Sequence, residues 1–264
     1  MPTINRQHIL DSITAALEPL DYVLAMWSGG ADGFARVDEW SDLDLMVIAA
    51  DDHVEDVFPV VETALKALSP IKIKYEIPQP AWHGHFQNFY TLQDASPFLM
   101  VDMAIIKESN PDNRFLESAI HGQPQVLFDK KDLIVIPEVN KEELLTTIEA
   151  RLDDIRGRFE LFQVLVTKEL NRGNGIEAVS FYTNFTLRPL VELLRIKHCP
   201  LRYHYATRYV HYDLPPNVVT QLEPLFYPHD QADLNEKHAK AVEWANTILK
   251  EIVLEKIQNK LSVQ

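Results

Sequence analysis

The sequence is poor in cysteine and has no long hydrophobic run, and each shortage excludes a class of protein. A single cysteine among 264 residues, Cys199, excludes an internal disulfide framework and a metal site built from several cysteines. No segment reaches the roughly 18 uninterrupted apolar residues that a membrane-spanning helix needs. The first 20 residues also lack the apolar core and cleavage pattern of a signal peptide. The sequence therefore predicts a globular, cytoplasmic protein without membrane spans.

Basic residues are scarce relative to acidic ones, mainly in the first half of the chain. The sequence has 25 Lys and Arg against 39 Asp and Glu, which gives a net charge of −14. Residues 1–137 hold 9 basic against 21 acidic residues, a net charge of −12, whereas residues 138–264 carry only −2. An acidic surface repels a polyanion, so nucleic acid is disfavoured as a partner and a cationic small molecule is favoured. Solubility alone is the simpler explanation of the same charge.

Hydrophobic periodicity changes near residue 137 and predicts two domains, 1–137 and 138–264. The first half combines helical patterns with apolar or alternating runs that predict strands at 22–27, 42–50, 71–77, 85–92, 97–106 and within "VLFDKKDL". The second half has helical periodicity over 140–173, 176–199, 215–227 and 231–261. The pattern predicts an α/β (α+β) domain followed by an all-α domain.

Two aspartates one residue apart, Asp42 and Asp44, stand at the start of an apolar strand. Because side chains of a strand alternate between faces, both carboxylates project from the same face. Two neighbouring carboxylates repel each other, and a divalent cation removes that cost. Mg²⁺ is commonly bound by one or two carboxylates together with phosphate oxygens. A surface turn with two solvated acids is the alternative interpretation.

A third acid, Asp102, lies inside the apolar run "FLMVDMAII". A charge in such a strand is unfavourable unless it is paired, hydrogen-bonded or bound to a metal. No basic residue lies within four positions of it. A third carboxylate on a neighbouring strand is what a site for two metal ions needs. We therefore predict Asp42, Asp44 and Asp102 as metal ligands, with a structural aspartate at a loop as the alternative for Asp102.

A glycine-containing loop precedes the paired aspartates. Consecutive glycines, here Gly29 and Gly30, let backbone N–H groups approach phosphate oxygens and form an anion-binding nest. Ser28 and Ser41 are candidates to add hydroxyl donors. Joined to the acids at a fixed distance, the loop predicts a site for a phosphate-containing ligand.

The order Gly29-Gly30, eleven residues, Asp42-Leu43-Asp44-Leu45 and later Asp102 resembles the DNA polymerase beta-like nucleotidyltransferase superfamily. The segment "DEWSDLDL" resembles its small-molecule members, such as aminoglycoside and lincosamide nucleotidyltransferases. The resemblance implies a nucleotidyltransferase domain with a mixed sheet, followed by a helical-bundle domain. It also implies an enzyme that transfers a nucleoside monophosphate, AMP from ATP, to a hydroxyl of a small-molecule acceptor and releases pyrophosphate.

The same resemblance implies two Mg²⁺ ions and ATP or another nucleoside triphosphate as co-substrate. Asp42 and Asp44 would hold the ion that carries the triphosphate, and Asp102 would bind the second ion. These three acids are also the expected catalytic residues. The expected nucleotide-binding residues are Ser28, Gly29, Gly30, Arg36 and Ser41.

Glu192 is a candidate catalytic residue of the helical half. It lies between Arg188 and Arg195 at helical spacings of four and three, which is typical of an intrahelical ion-pair cluster. The resemblance suggests instead a general base for the acceptor. Two other functions stay open: a toxin-like nucleotidyltransferase that modifies a protein, and a non-catalytic nucleotide-binding module. The sequence leaves open the oligomeric state and whether the role is antibiotic resistance or housekeeping.

Overall fold

The chain forms two compact units, Met1–Glu138 and Val139–Gln264. The predicted boundary, after residue 137, lies one residue before this division. The computed structural model describes residues 4–112 and 114–263. Within those ranges, no helix is both long enough and apolar enough to span a bilayer.

A six-stranded mixed sheet organises the first unit. Its strands, in chain order, are β1 (Val23–Ser28), β2 (Leu43–Ala49), β3 (Ile71–Glu76), β4 (Phe86–Leu92), β5 (Met100–Lys107) and β6 (Gln125–Asp129). Their order across the sheet is β3-β4-β5-β2-β1-β6. Strands β2 and β5 are parallel, and the other neighbouring pairs are antiparallel. The predicted fold class, a mixed sheet with flanking helices followed by a helical region, is confirmed.

The two faces of this sheet are covered differently. Helices α1 (Arg6–Leu17) and α2 (Val57–Leu68) bury their apolar sides in one core with β1, β2 and β5. That core includes Ile9 and Ile13 of α1, Val61 and Leu65 of α2, and Leu43, Leu45 and Val47 of β2. A smaller apolar cluster around Trp27, Ile48 and Ile106 lies on the opposite face. A short helix, α3 (Ser118–His121), precedes β6.

The second unit is helical throughout. Its helices are α4 (Lys141–Arg172), α5 (Gly175–Phe181), α6 (Arg188–His198), α7 (Val210–Asp213), α8 (Pro216–Leu222), α9 (Gln231–Glu251) and α10 (Leu254–Val263). Helix α4 ends as predicted at Gly173, which adopts the left-handed conformation with φ of 76°. The helix predicted over 231–261 is instead divided, because the backbone at Ile252 is extended.

The helix predicted over 176–199 is interrupted by a π-helical stretch, Tyr182–Leu187, which joins α5 to α6. The interruption lies just before Pro189, which has no N–H to donate to the carbonyl of Phe185 four residues earlier. The side-chain amide of Gln163 on α4 donates to that carbonyl instead, at 3.1 Å. A side chain of another helix thus satisfies the freed acceptor.

Candidate active site

The three predicted acids lie around the start of the two parallel strands of the sheet. Asp44 on β2 is directly opposite Asp102 on β5 in the parallel register, so their side chains project from the same face. Asp42 precedes β2 by one residue, and an interaction with the backbone N–H of Met100, at the start of β5, acts to lower the pKa of its carboxylate. The face that carries them is the one opposite α1 and α2.

Burial and, to a smaller extent, the neighbouring acids raise the pKa of Asp102. Burial raises this pKa from 3.8 to about 6, and the negative charges of Asp44 and Asp42 contribute to the rise. A hydrogen bond from Gln87 Nε2 to Asp102 Oδ1, at 2.6 Å, opposes the shift. Burial also raises the pKa of Asp42. The acids are therefore close enough to interact, and a bound cation would relieve their repulsion.

The glycine turn packs directly against Asp44. Gly30 has a φ of +55°, and a Cβ atom at this position would lie 1.8 Å from Asp44 Oδ2. Glycine is thus required both by the backbone conformation and by the space that the carboxylate occupies. The N–H of Gly29 donates to the carbonyl of Asp44 at 3.0 Å, because the chain there still continues the β1–β2 ladder. The predicted phosphate contact through the Gly29 amide is therefore not supported.

Two residues that the sequence analysis missed support the acids. Gln87 on β4 holds Asp102 through the hydrogen bond to Oδ1. Arg6, at the start of α1, donates from Nε to the carbonyl of Asp42 at 3.1 Å and forms an ion pair with Asp32 in the glycine loop. A polar residue within the strand pattern of β4 could have drawn attention to Gln87. No local pattern marks Arg6, because its partners are distant in sequence.

The donor set suits a hard cation. Carboxylate oxygens are the ligands that Mg²⁺ prefers, and three carboxylates lie around the start of the two parallel strands. Within residues 4–112 and 114–263, however, no group of three or more His, Cys, Asp or Glu side chains is already arranged to hold a metal ion. The carboxylate of Asp102 is turned to Gln87, and that of Asp44 lies against Gly30. The residues therefore fit Mg²⁺ by their chemistry, without forming a ready-made cage.

Two examples illustrate the solved structures that are similar to the chain. One is a spectinomycin adenyltransferase, AAD(9), from Enterococcus faecialis with ATP and spectinomycin, with 10% identity, 98% of this chain and 100% of that chain covered, and a TM-score of 0.37. The other is a STING-associated CdnE c-di-GMP synthase from Capnocytophaga granulosa, with 14% identity, 94% and 83% coverage, and a TM-score of 0.29. No protein-family model and no curated protein matches the chain. Both neighbours are nucleotidyltransferases.

The remaining predicted nucleotide-binding residues have different placements. Ser28 pairs with Leu45, so strand alternation directs its buried side chain to the face opposite Asp44. The hydroxyl of Ser41 donates to Asp38 Oδ1 and accepts from the Asp38 N–H, both at 2.9 Å, and so shapes the loop ahead of β2. The guanidinium of Arg36 lies 4.9 Å from the centre of the Phe34 ring in the same loop. The register gives no support to a phosphate contact through Ser28.

Glu192, the candidate general base, is engaged in an ion pair. Arg151 on α4 donates from Nε to Glu192 Oε1 at 2.5 Å and from Nη2 to Oε2 at 2.8 Å. The expected pairing with Arg195 is wrong, because Arg195 is fully buried and bonds Asp213 at 3.0 Å. Since both oxygens of Glu192 are held by one guanidinium, its role as general base loses support.

Proposed function

We propose that the protein is a Mg²⁺-dependent nucleotidyltransferase that moves a nucleoside monophosphate, AMP from ATP, to a hydroxyl of a small molecule. The observation that carries the proposal is the convergence of Asp42, Asp44 and Asp102 on one face of the sheet, beside a turn that only Gly30 permits. Isolated acids would fit a structural role, whereas three carboxylates on one face next to a glycine turn favour a site for a cation and a phosphate.

Each residue then has a distinct role. Asp42 and Asp44 would hold the ion that carries the triphosphate, and Asp102 would bind a second ion. When bound, Mg²⁺ neutralises phosphate charge and lowers the pKa of a coordinated hydroxyl. Gln87 keeps the Asp102 carboxylate in a fixed direction. The acceptor hydroxyl releases its proton to water, its oxygen attacks the α-phosphorus in line, the bond to the bridging oxygen breaks, and pyrophosphate leaves.

A cationic acceptor, such as an aminoglycoside, fits the charge of the catalytic unit. Residues 1–137 carry a net charge of −12, which raises the local concentration of cations and repels nucleic acid. This charge supports an aminosugar acceptor more than a polynucleotide. Transfer of label from α-labelled ATP to a panel of aminoglycosides and lincosamides tests this acceptor class. Stable label on a polypeptide instead would favour the protein-modifying alternative.

Titration calorimetry with ATP, with and without Mg²⁺, tests the site before any acceptor is known. Wild-type protein should bind ATP only with Mg²⁺, and Asp42→Asn should lose this binding. Asp52→Asn is the matched control, because it removes the same charge from an exposed residue outside the site. Binding that is indifferent to Mg²⁺ and to Asp42 would overturn the metal-dependent site and favour a non-catalytic nucleotide-binding module. No binding at all would remove the nucleotide from the proposal.

A further inference from the structure

The helical unit contains a cavity of its own, with a volume of about 500 Å³. It is formed by residues of α4, the π-helical stretch, α6 and the segment after α6. This volume lies within the range of small-molecule sites in proteins. All of its lining residues belong to the second unit, and none of the three acids is among them.

The lining of the cavity is positively charged in a chain that is strongly negative overall. Arg151, Arg158 and Arg188 contribute three guanidinium groups, against a single carboxylate from Glu192. Glu192 neutralises Arg151, and Asp154 bonds Arg158 at 2.8 Å. Among the described residues, no carboxylate lies within ion-pair distance of Arg188. The exposed Arg188 is therefore an uncompensated cation at the cavity, and its guanidinium is always charged.

The wall beside these arginines is aromatic. Phe159, Phe162 and Phe185 line the cavity, and the rings of Phe162 and Phe185 lie 5.0 Å apart between centroids. Phe162 and Phe185 are only partly buried, so their rings retain surface for a ligand. An apolar ring packs favourably on such a wall, and a guanidinium beside it binds carboxylate or phosphate through paired N–H donors.

We propose that this cavity binds an organic anion that combines an aromatic ring with a carboxylate or phosphate group. Arg188 contacts the anionic group, and Phe162 and Phe185 contact the ring. The same charge excludes a polycationic aminosugar from this cavity, whatever the acceptor at the acids of the sheet. The inference does not depend on nucleotide transfer, because none of the three acids lines the cavity.

Calorimetric titration with naphthyl phosphate tests the proposal, with neutral naphthol, cationic naphthylmethylamine and inorganic phosphate as comparison probes. Naphthyl phosphate should bind more tightly than each of the other three. Arg188→Gln should weaken its binding by about tenfold or more, as expected for loss of a hydrogen bond to a charged group. Arg156→Gln is the matched control, because it removes an exposed arginine of α4 that does not line the cavity.

Two further variants, Phe162→Leu in the cavity and Asp44→Asn at the acids of the sheet, test where and how the probe binds. Phe162→Leu should weaken the binding of naphthyl phosphate and leave the binding of inorganic phosphate unchanged. Binding should persist in Asp44→Asn, and a loss there would overturn the inference by placing the probe at the acids. The inference would also be overturned if naphthol bound as tightly as naphthyl phosphate, or if the amine bound more tightly. It would likewise be overturned if Arg188→Gln had the melting temperature of the wild type and bound naphthyl phosphate equally well.

Discussion

At the scale of single residues, Gly30 is the position where a small change should have the clearest effect. A Cβ atom there would lie 1.8 Å from Asp44 Oδ2 and 2.6 Å from Asp44 Cγ, in a backbone conformation with positive φ. Gly30→Ala must therefore displace the carboxylate or the turn. We expect at least about tenfold weaker Mg²⁺–ATP binding and about 1–3 kcal/mol lower stability, measured by calorimetry and urea unfolding.

Gly157 provides the matched control for that substitution. It lies inside α4, and an added Cβ would meet nothing within 4 Å. Gly157→Ala should leave nucleotide binding unchanged and raise the free energy of unfolding by about 0.5–1 kcal/mol, because alanine favours the helix. If Gly30→Ala binds Mg²⁺–ATP as tightly as Gly157→Ala does, the turn has no part in the site.

The raised pKa of Asp102 gives a prediction with a definite sign. Its folded-state pKa is about 6, against 3.8 in the unfolded chain, so the folded state binds this proton more tightly. The contribution of this group to the free energy of unfolding is fully present below pH 3.8. It falls by up to about 3 kcal/mol as the pH rises to about 6. Without metal, the free energy of unfolding of Asp102→Asn, measured with urea, should therefore equal that of the wild type near pH 4 and be higher at pH 8. The variant should also lose activity. A wild type more stable than Asp102→Asn at pH 8 would contradict the raised pKa of Asp102.

At the scale of elements, one buried side chain joins α4 to the interrupted helix that follows it. The amide nitrogen of Gln163 donates to the carbonyls of Phe159, at 2.6 Å, and Phe185, at 3.1 Å. Its oxygen accepts from Thr186 Oγ1 at 2.6 Å and lies 3.0 Å from His238 Nε2 on α9. The network satisfies the acceptor that Pro189 leaves open, as well as two further buried polar groups.

Gln163→Leu removes this network at nearly constant volume. We expect it to lower the free energy of unfolding by about 3 kcal/mol, since it leaves several buried polar groups unsatisfied. Gln258→Leu, at an exposed position of α10, should change stability by less than about 0.5 kcal/mol. Urea unfolding measures both. Similar small effects for the two variants would mean that water replaces the missing amide.

Elements whose signal is local could be predicted from sequence, and contacts between elements could not. Period-two alternation located the strands, and the glycine after α4 marked its end. No local pattern marks the π-helical stretch, and the side chain that bonds Phe185 and Thr186 within it, Gln163, comes from another helix. Likewise, the pairing of Glu192 with Arg151 joins two helices, whereas the spacing of four and three suggested partners on one helix.

At the scale of the whole molecule, the acids of the sheet lie in the unit that carries most of the negative charge. The motif of Gly29, Gly30, Asp42 and Asp44 could be found because its spacing is compact, and Asp102 because a charge in an apolar run is costly. The residues that support them, Arg6 and Gln87, come from other elements that only the folded chain brings near. The sequence could therefore identify the candidate ligands, but not what orients them.

The excess of acidic groups predicts that salt and Mg²⁺ stabilise the protein by different routes. Raising NaCl from about 0.01 M to about 0.1 M shortens the screening length from about 30 Å to about 10 Å, which should raise the melting temperature by weakening repulsion in a chain of net charge −14. At matched ionic strength, MgCl₂ should raise it further, by an amount corresponding to about 2.7 kcal/mol when Mg²⁺ is present at a hundredfold excess over its Kd.

This additional effect should depend on the acids of the sheet. Asp44→Asn should respond to NaCl as the wild type does and lose the additional effect of MgCl₂, because it removes a carboxylate that faces Asp102. Asp52→Asn carries the same change in net charge and should keep both responses. Differential scanning calorimetry of the three proteins measures this. If Asp44→Asn and Asp52→Asn respond alike to MgCl₂, the cation acts by screening alone and the three acids form no metal site.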